Sequence, residues 1–535
     1  MAFLVEDGPV YDSSAFTECK AYPEEALYNG GGILHDHAAN VELGHRPFHG
    51  DSYTTDFSLH NLSRGIFTFS AWITIMGADS SLIRAGLTAD STMSDCIGTV
   101  LAKQGCWSFL KGGFILNSPS NLSLLYFQNA DGKEINMSIA NPSLQRFTDE
   151  QWRLNQQFRI NEERKRFVTL HVSDLLGERL EGAAITVQQT SREFPIGSAI
   201  ADTIIGNLPY QNWFLKRFNA AVFENELKWY TTEPQPWKTN YTAADQMLEF
   251  TRANQITVRG HNIFWEDPKY TPAWVLNLTG PKLRSAVDAR IRSLMRRYRG
   301  EFVHWDVSNE MLHFDFYEQH LGANATLYFF KAAHEADPLA TLFMNEFNVV
   351  ETCTDDHSTV DAYVGRLRDL KKGGVSMSGI GIEGHFTIPN PPLIRAVLDK
   401  LGTLGLPIWF TEVDISHKID KESQAVYLER VLREGFSHPA VRGIMLWTAL
   451  HPQGCYQMCL TDNNFQNHPA GDVVDRLLKE WQTREVDGKT DEFGAFSFNG
   501  FLGEYRITVG YGNRSTSATL SLCQGEETRH FNIQL

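Results

Sequence analysis

Two glutamates in this sequence lie at or near the end of an apolar run and stand among polar neighbours, as reactive carboxyl groups often do. Glu310 ends the stretch WDVSNE, and Glu412 lies within WFTEVD. Cleavage of a glycosidic bond requires two carboxyl groups flanking the anomeric carbon, one protonated and one ionised. A lone glutamate at a strand end is usually a salt-bridge partner, but two with polar neighbours favour chemistry. We therefore predict that Glu310 and Glu412 form a catalytic pair.

The elements that must position this pair lie between residues 191 and 484. Eight apolar runs alternate with amphipathic segments there: PIGSAI (195–200), AAVFENE (220–226), ITVRGHNIFW (256–265), FVHWDVSNE (302–310), TLFMNEF (341–347), GIGIEGHF (379–386), LPIWFTEVD (406–414) and VRGIMLWTAL (441–450). Eight strands alternating with helices predict an α/β fold, the (β/α)8 or TIM barrel. A doubly wound open sheet is the rival. Polar residues at the C-terminal ends of several runs favour the barrel, because barrel enzymes keep their chemistry there.

One amphipathic segment carries a regular apolar stripe. Its members are Leu283, Val287, Ile291, Leu294 and Tyr298. Spacings of three and four residues predict a helix with one buried face, which Gly300 can end.

The rest of the chain has residue patterns that are typical of β structure. Residues 1–150 contain short alternating runs such as GIFTFSAWITI, which predict a β-sandwich. Residues 151–190 are predicted to be a β segment, and residues 485–535 a small β module. Each of these two pieces is too short to bury a core alone, so we expect them to pair beside the inserted barrel.

Composition limits the kinds of partner that the protein is expected to bind. The formal charge of 48 − 64 = −16 argues against nucleic acid, and no apolar run approaches the roughly 20 residues needed to cross a bilayer. No signal-peptide pattern is visible at the start of the sequence. Seven N-x-S/T sequons nevertheless hint at secretion: Asn61, Asn121, Asn136, Asn240, Asn277, Asn324 and Asn513. Seven cysteines leave at least one thiol outside any intramolecular disulfide.

Five motifs occur in order on the successive predicted strands: FENELKW, RGHNIFW, WDVSNE, GIGIEGH and FTEVDI. Together they make residues 191–484 resemble the family 10 glycoside hydrolases, which are endo-β-1,4-xylanases, and in particular their multidomain plant members. The resemblance implies retaining hydrolysis inside xylan chains, with no metal and no organic cofactor. It also implies an extracellular or cell-wall location. For retention, the two carboxyl groups should lie roughly 5–5.5 Å apart.

Carried over residue by residue, the resemblance makes Glu310 the acid/base and Glu412 the nucleophile. It also implies that Asn309 binds the sugar 2-hydroxyl and that His385 and Asp414 orient the nucleophile. The neighbouring glycone sugar would be bound by Glu224, Asn225 and Lys228. The sugar under attack would be bound by His261, Trp265 and Trp447. Without the resemblance, Trp447 is as readily a core residue, and His451 could be a surface residue.

Three features depart from the family pattern. Glu266 stands where a histidine often follows Trp265, and Glu383 stands where glutamine is usual. A third carboxyl group near the pair would raise the pKa of the group that protonates more easily. The segment LHPQGCYQMCLTDNN lacks an aspartate-and-tryptophan segment common in bacterial members, so details of the glycone subsites are open.

Outside the barrel the resemblances are weaker. The stretches FSAWITI and GCWSFLKGGF make the N-terminal region similar to a family 22 carbohydrate-binding module, and TDEFGAFSFNGFLGEYRITV resembles transthyretin-like modules. Two other functions stay open at this point. One is a glycan-binding protein without turnover, and the other is a hydrolase or transglycosylase of another β-linked glycan.

Overall fold

The first part of the chain folds into two antiparallel sheets that face each other. The computed structural model describes residues 8–36, 43–48, 52–89, 92–525 and 528–535. Its first elements are α1 (Leu27–Gly31), α2 (Ile33–Asp36), β1 (Leu43–Phe48), β2 (Ser52–Leu62), β3 (Gly65–Met76), β4 (Ser80–Ala89), β5 (Thr92–Lys103), β6 (Ser108–Leu116), β7 (Ser120–Asn129) and β8 (Asn136–Phe147). The strand orders are β1-β2-β7-β4-β5 and β6-β3-β8. Phe69, Ile73 and Leu125 belong to the apolar core of this sandwich.

A helix then follows where we expected strand. The segment 151–190 was predicted to be β structure, but α3 occupies Asp149–Arg164. Thr148 caps it, because its side chain accepts from the Gln151 amide while the Gln151 side chain accepts from the Thr148 amide. This capping box satisfies two backbone donors and favours a helix start. Strands β9 (Lys165–Ser173) and β10 (Ala184–Arg192) occupy the remainder of the segment.

The prediction of a closed barrel is confirmed, and the open-sheet alternative is wrong. Its strands are β11 (Ile196–Ile200), β12 (Ala220–Phe223), β13 (Thr257–Gly260), the two-residue β14 (Phe264–Trp265), β15 (His304–Asn309), β16 (Thr341–Glu346), β17 (Gly379–Phe386), β18 (Ile408–Ile415) and β19 (Val441–Leu446). All neighbours are parallel, and β13 also pairs with β15, which closes the ring. An open sheet would leave two unpaired edges.

A glycine allows tight packing inside the barrel. A side chain at Gly260 would meet the Trp305 ring at 2.4 Å, so the large indole fits only beside glycine. Trp305 is accordingly a buried core residue.

Helices surround the barrel. They are α4 (Leu208–Leu215), α5 (Trp229–Thr232), α6 (Thr242–Ala253), α7 (Gly280–Arg297), α8 (Phe316–Leu321), α9 (Ala325–Ala336), α10 (Val360–Lys372), α11 (Pro391–Gly402), α12 (Lys421–Ser437) and α13 (Pro469–Glu480). The predicted apolar stripe lies along α7, where all five of its side chains are buried. Within the described ranges, no helix is both long and apolar enough to span a bilayer.

The C-terminal strands pair with strands of the segment that precedes the barrel. Its strands are β20 (Val486–Lys489), β21 (Ala495–Phe501), β22 (Gly503–Tyr511), β23 (Arg514–Leu522) and β24 (Arg529–Gln534). One sheet has the order β20-β10-β22-β23, and the other has the order β21-β9-β24. Val168, Val187 and Ile507 share one buried cluster, so the two distant segments contribute to a common core.

Three disulfides cross-link the molecule. Cys19 pairs with Cys106, Cys96 with Cys353, and Cys455 with Cys459, while Cys523 is free and exposed. The Cys96–Cys353 bond joins the N-terminal sandwich to the barrel.

Candidate active site

The C-terminal ends of the barrel strands surround a cavity of about 420 Å³. Eleven of the twelve residues singled out in the sequence line it: Glu224, Asn225, Lys228, His261, Trp265, Asn309, Glu310, Glu383, His385, Glu412 and Trp447. The twelfth, Asp414, lies behind His385, which it contacts through a hydrogen bond. Barrel closure therefore gathers residues spread over more than 200 positions of sequence into one site.

Glu310 directly follows β15, and its backbone adopts a left-handed conformation with φ of 60°. Such a conformation is costly for a residue other than glycine and tends to occur at functional sites. Its Oε2 accepts a hydrogen bond of 2.7 Å from the indole Nε1 of Trp265. Burial raises the pKa of Glu310 to about 8, and the neighbouring Glu412 adds to this, while the indole donor opposes it. The carboxyl group is thus kept protonated at neutral pH.

Glu412 is ionised in the same cavity. Burial raises its pKa, but His261, His385 and Lys228 more than offset this, so the pKa of the Glu412 carboxyl lies below its ordinary value. The His385 Nε2 lies 3.6 Å from Glu412 Oε2, and the His261 Nε2 lies 3.9 Å from Oε1. Both distances exceed those of direct hydrogen bonds. His385, which the resemblance implied would orient Glu412, therefore acts on it through charge.

The direct hydrogen bond to Glu412 comes instead from Asn345, at the end of β16. Its Nδ2 lies 3.0 Å from Glu412 Oε1, and also 3.0 Å from Asn309 Oδ1 and Glu383 Oε1. The Thr411 hydroxyl donates to Asn345 Oδ1, which orients the amide so that Nδ2 faces the carboxyl groups. Sequence reasoning missed Asn345, although it stands at the end of an apolar run, like the residues that were found.

Glu383 places a third carboxyl group beside the pair. Burial raises its pKa well above the ordinary value, and the charges of Glu412 and Glu310 act in the same direction. Among the described residues, Glu383, His385 and Glu412 form a group close enough to hold a metal ion, with ligand atoms within 4.8 Å of one another. The His385 Nδ1 lies 2.9 Å from Asp414 Oδ1. Burial lowers the pKa of His385, but Asp414, Glu383 and Glu412 raise it well above its ordinary value. His385 is therefore an imidazolium, and its positive charge lies beside the ionised Glu412.

A polar surface extends the cavity from the end of β12. Asn225 donates to Glu224 at 3.1 Å, and the Lys228 ammonium reaches Asn225 Oδ1 at 3.4 Å. His451, which could have been a surface residue, instead contacts Glu224 Oε2 through Nε2 at 2.5 Å. Burial lowers the pKa of Lys228, although four glutamates counteract it. These side chains offer both donors and acceptors to a sugar hydroxyl.

Aromatic rings form the apolar part of the cavity. Trp265 stacks on Tyr270 with centroids 3.8 Å apart and an interplanar angle of 8°. The Lys228 ammonium lies over the rings of Trp265 and Trp447, at 4.5 and 5.5 Å from their centroids. Trp447 packs edge-on against His261 at 5.3 Å. Flat rings beside hydrogen-bonding groups suit the C–H faces and hydroxyl edges of a neutral sugar.

Further lining residues were not anticipated from the sequence. They are Tyr230, Tyr270, Phe314, Phe347 and Tyr456. Four of them lie in loops or short helices, where spacing carries no periodic signal, and Phe347 is the last residue of the predicted run 341–347, immediately after β16. Tyr456 lies between the bonded Cys455 and Cys459, in the segment that departs from the family pattern.

The departure at Glu266 has a structural explanation. Glu266 is buried and is not among the residues that line the cavity. Its carboxyl group accepts from the Ser308 hydroxyl at 2.5 Å and from the Tyr317 amide at 3.1 Å. Burial raises the pKa of Glu266 to about 7, and the Ser308 and Tyr317 donors lower it only in part. Glu266 therefore ties β15 to α8 behind the site.

A closed barrel that presents one protonated and one ionised carboxyl group in a polar and aromatic cavity has the features of a glycoside hydrolase. The sequence profile of glycosyl hydrolase family 10 matches residues 186–476, more than half of the chain. The chain belongs to this family, and it is a glycoside hydrolase.

Similar proteins extend the match beyond the barrel. Endo-1,4-beta-xylanase 5 of Arabidopsis thaliana is 37% identical over 473 residues, which cover 85% of this chain and 82% of that protein. Endo-1,4-beta-xylanase 4 of the same plant is 34% identical over 524 residues, or 93% and 89% of the two chains. Among solved structures, xylanase 10B from Thermotoga petrophila RKU-1, in complex with xylobiose, superimposes with a TM-score of 0.49. It has 23% identity, over 54% of this chain and 94% of that chain.

Proposed function

We propose that this protein hydrolyses β-1,4-xylosidic bonds inside xylan chains with retention of configuration. Glu310 is the acid/base and Glu412 the nucleophile. The observation that carries the proposal is that the two carboxyl groups share one cavity while their pKa values move in opposite directions. The pKa of Glu310 rises to about 8, and that of Glu412 falls. Such a difference assigns the acid and the nucleophile in enzymes that use two carboxyl groups.

The first step needs a proton on the leaving oxygen and a nucleophile at the anomeric carbon. Glu310 gives its proton to the glycosidic oxygen as that bond breaks, and Glu412 forms a covalent bond to the sugar. Asn345 and the two nearby histidines hold Glu412 in place for this attack. Water then cleaves the glycosyl-enzyme bond while Glu310, now ionised, takes a proton from that water.

The surroundings of the pair support binding of a neutral chain. Asn309 lines the cavity beside Glu310, which supports a role in binding the 2-hydroxyl of the sugar under attack. Glu224, Asn225 and Lys228 continue outward as hydrogen-bonding groups for the next glycone sugar. The names of the similar plant proteins, endo-1,4-beta-xylanases 4 and 5, support xylan as the substrate.

The test is to digest xylan, mixed-linkage β-glucan and xylo-oligosaccharides with the purified protein. We expect oligosaccharides of several lengths from xylan, and β-anomeric products in proton NMR spectra taken within the first minutes. A Glu412→Ala protein prepared in parallel controls for contaminating hydrolases. Release of xylose alone would contradict internal cleavage, α-anomeric products would contradict retention, and preference for β-glucan would contradict the substrate.

We also propose that the protein folds in an oxidising compartment and functions outside the cell or in the cell wall. Three disulfides support this, because disulfides are rare in reducing compartments. Mass spectrometry of the protein from its native tissue should find glycans at the sequons and paired cysteines. A protein with those six cysteines reduced and its sequon asparagines unglycosylated would contradict the proposal.

A further inference from the structure

The N-terminal sandwich is fixed to the barrel through a buried ionic contact. The Lys111 ammonium of β6 lies 2.7 Å from Asp399 Oδ2 of α11, and both side chains are almost completely buried. The Tyr11 hydroxyl donates to the same oxygen at 2.6 Å. A buried pair whose charges are matched by further hydrogen bonds resists separation, because either group alone would be buried without a partner. The sandwich is therefore a fixed neighbour of the barrel and not a loosely tethered one.

A second contact joins the sandwich to the loop between β16 and α10, residues 347–359, which we call the clamp loop. Cys96 of β5 is bonded to Cys353 in this loop. Arg84 of β4 forms an ion pair of 2.6 Å with Asp356. The β4–β5 hairpin of the sandwich therefore holds the clamp loop through a disulfide bond and an ion pair.

The clamp loop also enters the candidate active site. Phe347, its first residue, lines the cavity. The Glu351 Oε1 accepts a hydrogen bond of 3.2 Å from the backbone amide of His385. Asp355 lies 2.9 Å from the Nε2 of His313, a residue that follows β15 and Glu310. One short loop therefore connects the sandwich to the cavity and to the histidine beside Glu412.

We propose that the N-terminal sandwich positions the catalytic groups, and that it does so through the Cys96–Cys353 bond and the hydrogen bond from His385 to Glu351. Glu351 is a positioning residue, since its side chain acts on His385 and His385 acts on Glu412. The inference rests on the proposed function for its kinetic consequence but not for its structural one. It predicts that the sandwich contributes to turnover, separately from any glycan that the sandwich binds.

The kinetic experiment compares Glu351→Ala, Glu351→Gln and the double variant Cys96→Ser/Cys353→Ser. The matched control is Cys19→Ser/Cys106→Ser, which removes a disulfide that does not reach the cavity. Misplacement of catalytic groups by about 1 Å can cost up to about a hundredfold in rate, so we expect kcat on xylan to fall by about tenfold in Glu351→Ala and in Cys96→Ser/Cys353→Ser. Glu351→Gln keeps the acceptor oxygen and should recover most of kcat. The control should keep wild-type kcat.

Combining the Glu351 and cysteine substitutions in one protein distinguishes a loss of positioning from a general loss of stability. If the disulfide acts through Glu351, adding Glu351→Ala to the Cys96→Ser/Cys353→Ser protein lowers kcat little further, whereas adding it to the control variant lowers kcat fully. Melting curves ensure that rates are compared between folded proteins. Should the disulfide variant fail to fold, Arg84→Ala removes the ion pair with Asp356 and leaves the covalent bond, and a smaller loss of kcat is expected. A folded Cys96→Ser/Cys353→Ser protein with wild-type kcat, or fully additive effects, would overturn the proposal.

Hydrogen exchange provides a measurement that does not depend on activity. The His385 amide should exchange slowly in the wild type, in Glu351→Gln and in the control, and faster in Glu351→Ala and Cys96→Ser/Cys353→Ser. Unchanged protection in those two variants would refute the inference even if the protein degrades xylan. Conversely, faster exchange in a protein without xylanase activity would support the inference while the proposed function failed.

Discussion

The hydrogen bond between Trp265 and Glu310 allows a quantitative prediction of pH dependence. The indole Nε1 donates to Glu310 Oε2 at 2.7 Å and favours the ionised carboxylate, so it lowers the pKa of Glu310. Trp265→Phe removes the donor but keeps an aromatic ring that can stack on Tyr270. Loss of this one interaction should therefore raise the pKa of the acid.

The size of the shift follows from the strength of the bond. A hydrogen bond to a charged group contributes about 1.5–3 kcal/mol, and each pKa unit corresponds to about 1.4 kcal/mol. The pKa of Glu310 should therefore rise by about one to two units from its value of about 8. Because Glu310 must be protonated to donate, the alkaline limit of activity should move upward by the same amount, to about pH 9–10.

The measurement is kcat/KM against pH on a xylo-oligosaccharide, whose sugar leaving group needs protonation. This ratio reports pKa values of the free enzyme, which is the state that the structure describes. Trp274→Phe is the matched control, since the Trp274 indole donates to the backbone carbonyl of Glu233 instead. An alkaline limit that stays near pH 8 in Trp265→Phe, or that moves to lower pH, would refute the assignment of Glu310 as the acid.

Other predictions concern the pair, the aromatic surface and the buried carboxyl group. Glu412→Ala should abolish turnover with the fold intact by circular dichroism. Glu310→Ala should slow xylan hydrolysis by about 10²–10⁴-fold but leave measurable cleavage of aryl xylosides, whose leaving groups need no proton. Wild-type rates in both variants would show that the site is elsewhere. Trp447→Ala should raise KM for xylo-oligosaccharides about tenfold through lost stacking, and an unchanged KM would make it a packing residue. Glu266 has a pKa of about 7 in the folded protein, against about 4.5 unfolded, so folding loses stability as the pH rises through this window. At pH 8.5 the free energy of unfolding of Glu266→Gln should therefore exceed that of the wild type by up to about 3 kcal/mol. At pH 4 the two proteins should be about equally stable. Equal melting temperatures at pH 8.5 would contradict a buried, titrating carboxyl group at this position.

Local patterns were enough to predict the barrel, because each strand is an apolar run and each helix buries one stripe. The eight runs overlap the eight principal strands, and Glu310 and Glu412 were found by their positions in such runs, whereas the supporting residues came from the family resemblance. Boundaries were less accurate. The run 256–265 is divided in the structure into β13 and the short β14, and residues 149–164 form a helix whose capping box was overlooked.

Contacts between distant segments were beyond the reach of such patterns. The position of Asn345 near the end of an apolar run makes it a candidate site residue, but no local pattern identifies it as the donor to Glu412, or His451 as the partner of Glu224. The pairing of seven cysteines was equally undetermined, since spacing allows many combinations.

The sequence by itself determined which residues could become catalytic, because residue type and position at a strand end are local properties. Only the tertiary structure decided which carboxyl group carries the proton. Burial raises the pKa values of both Glu310 and Glu412, and the difference arises from the charges that closure of the barrel brings to Glu412 from other strands. A pKa depends on every charge and donor within a few ångströms, and those neighbours are defined only when the chain has folded.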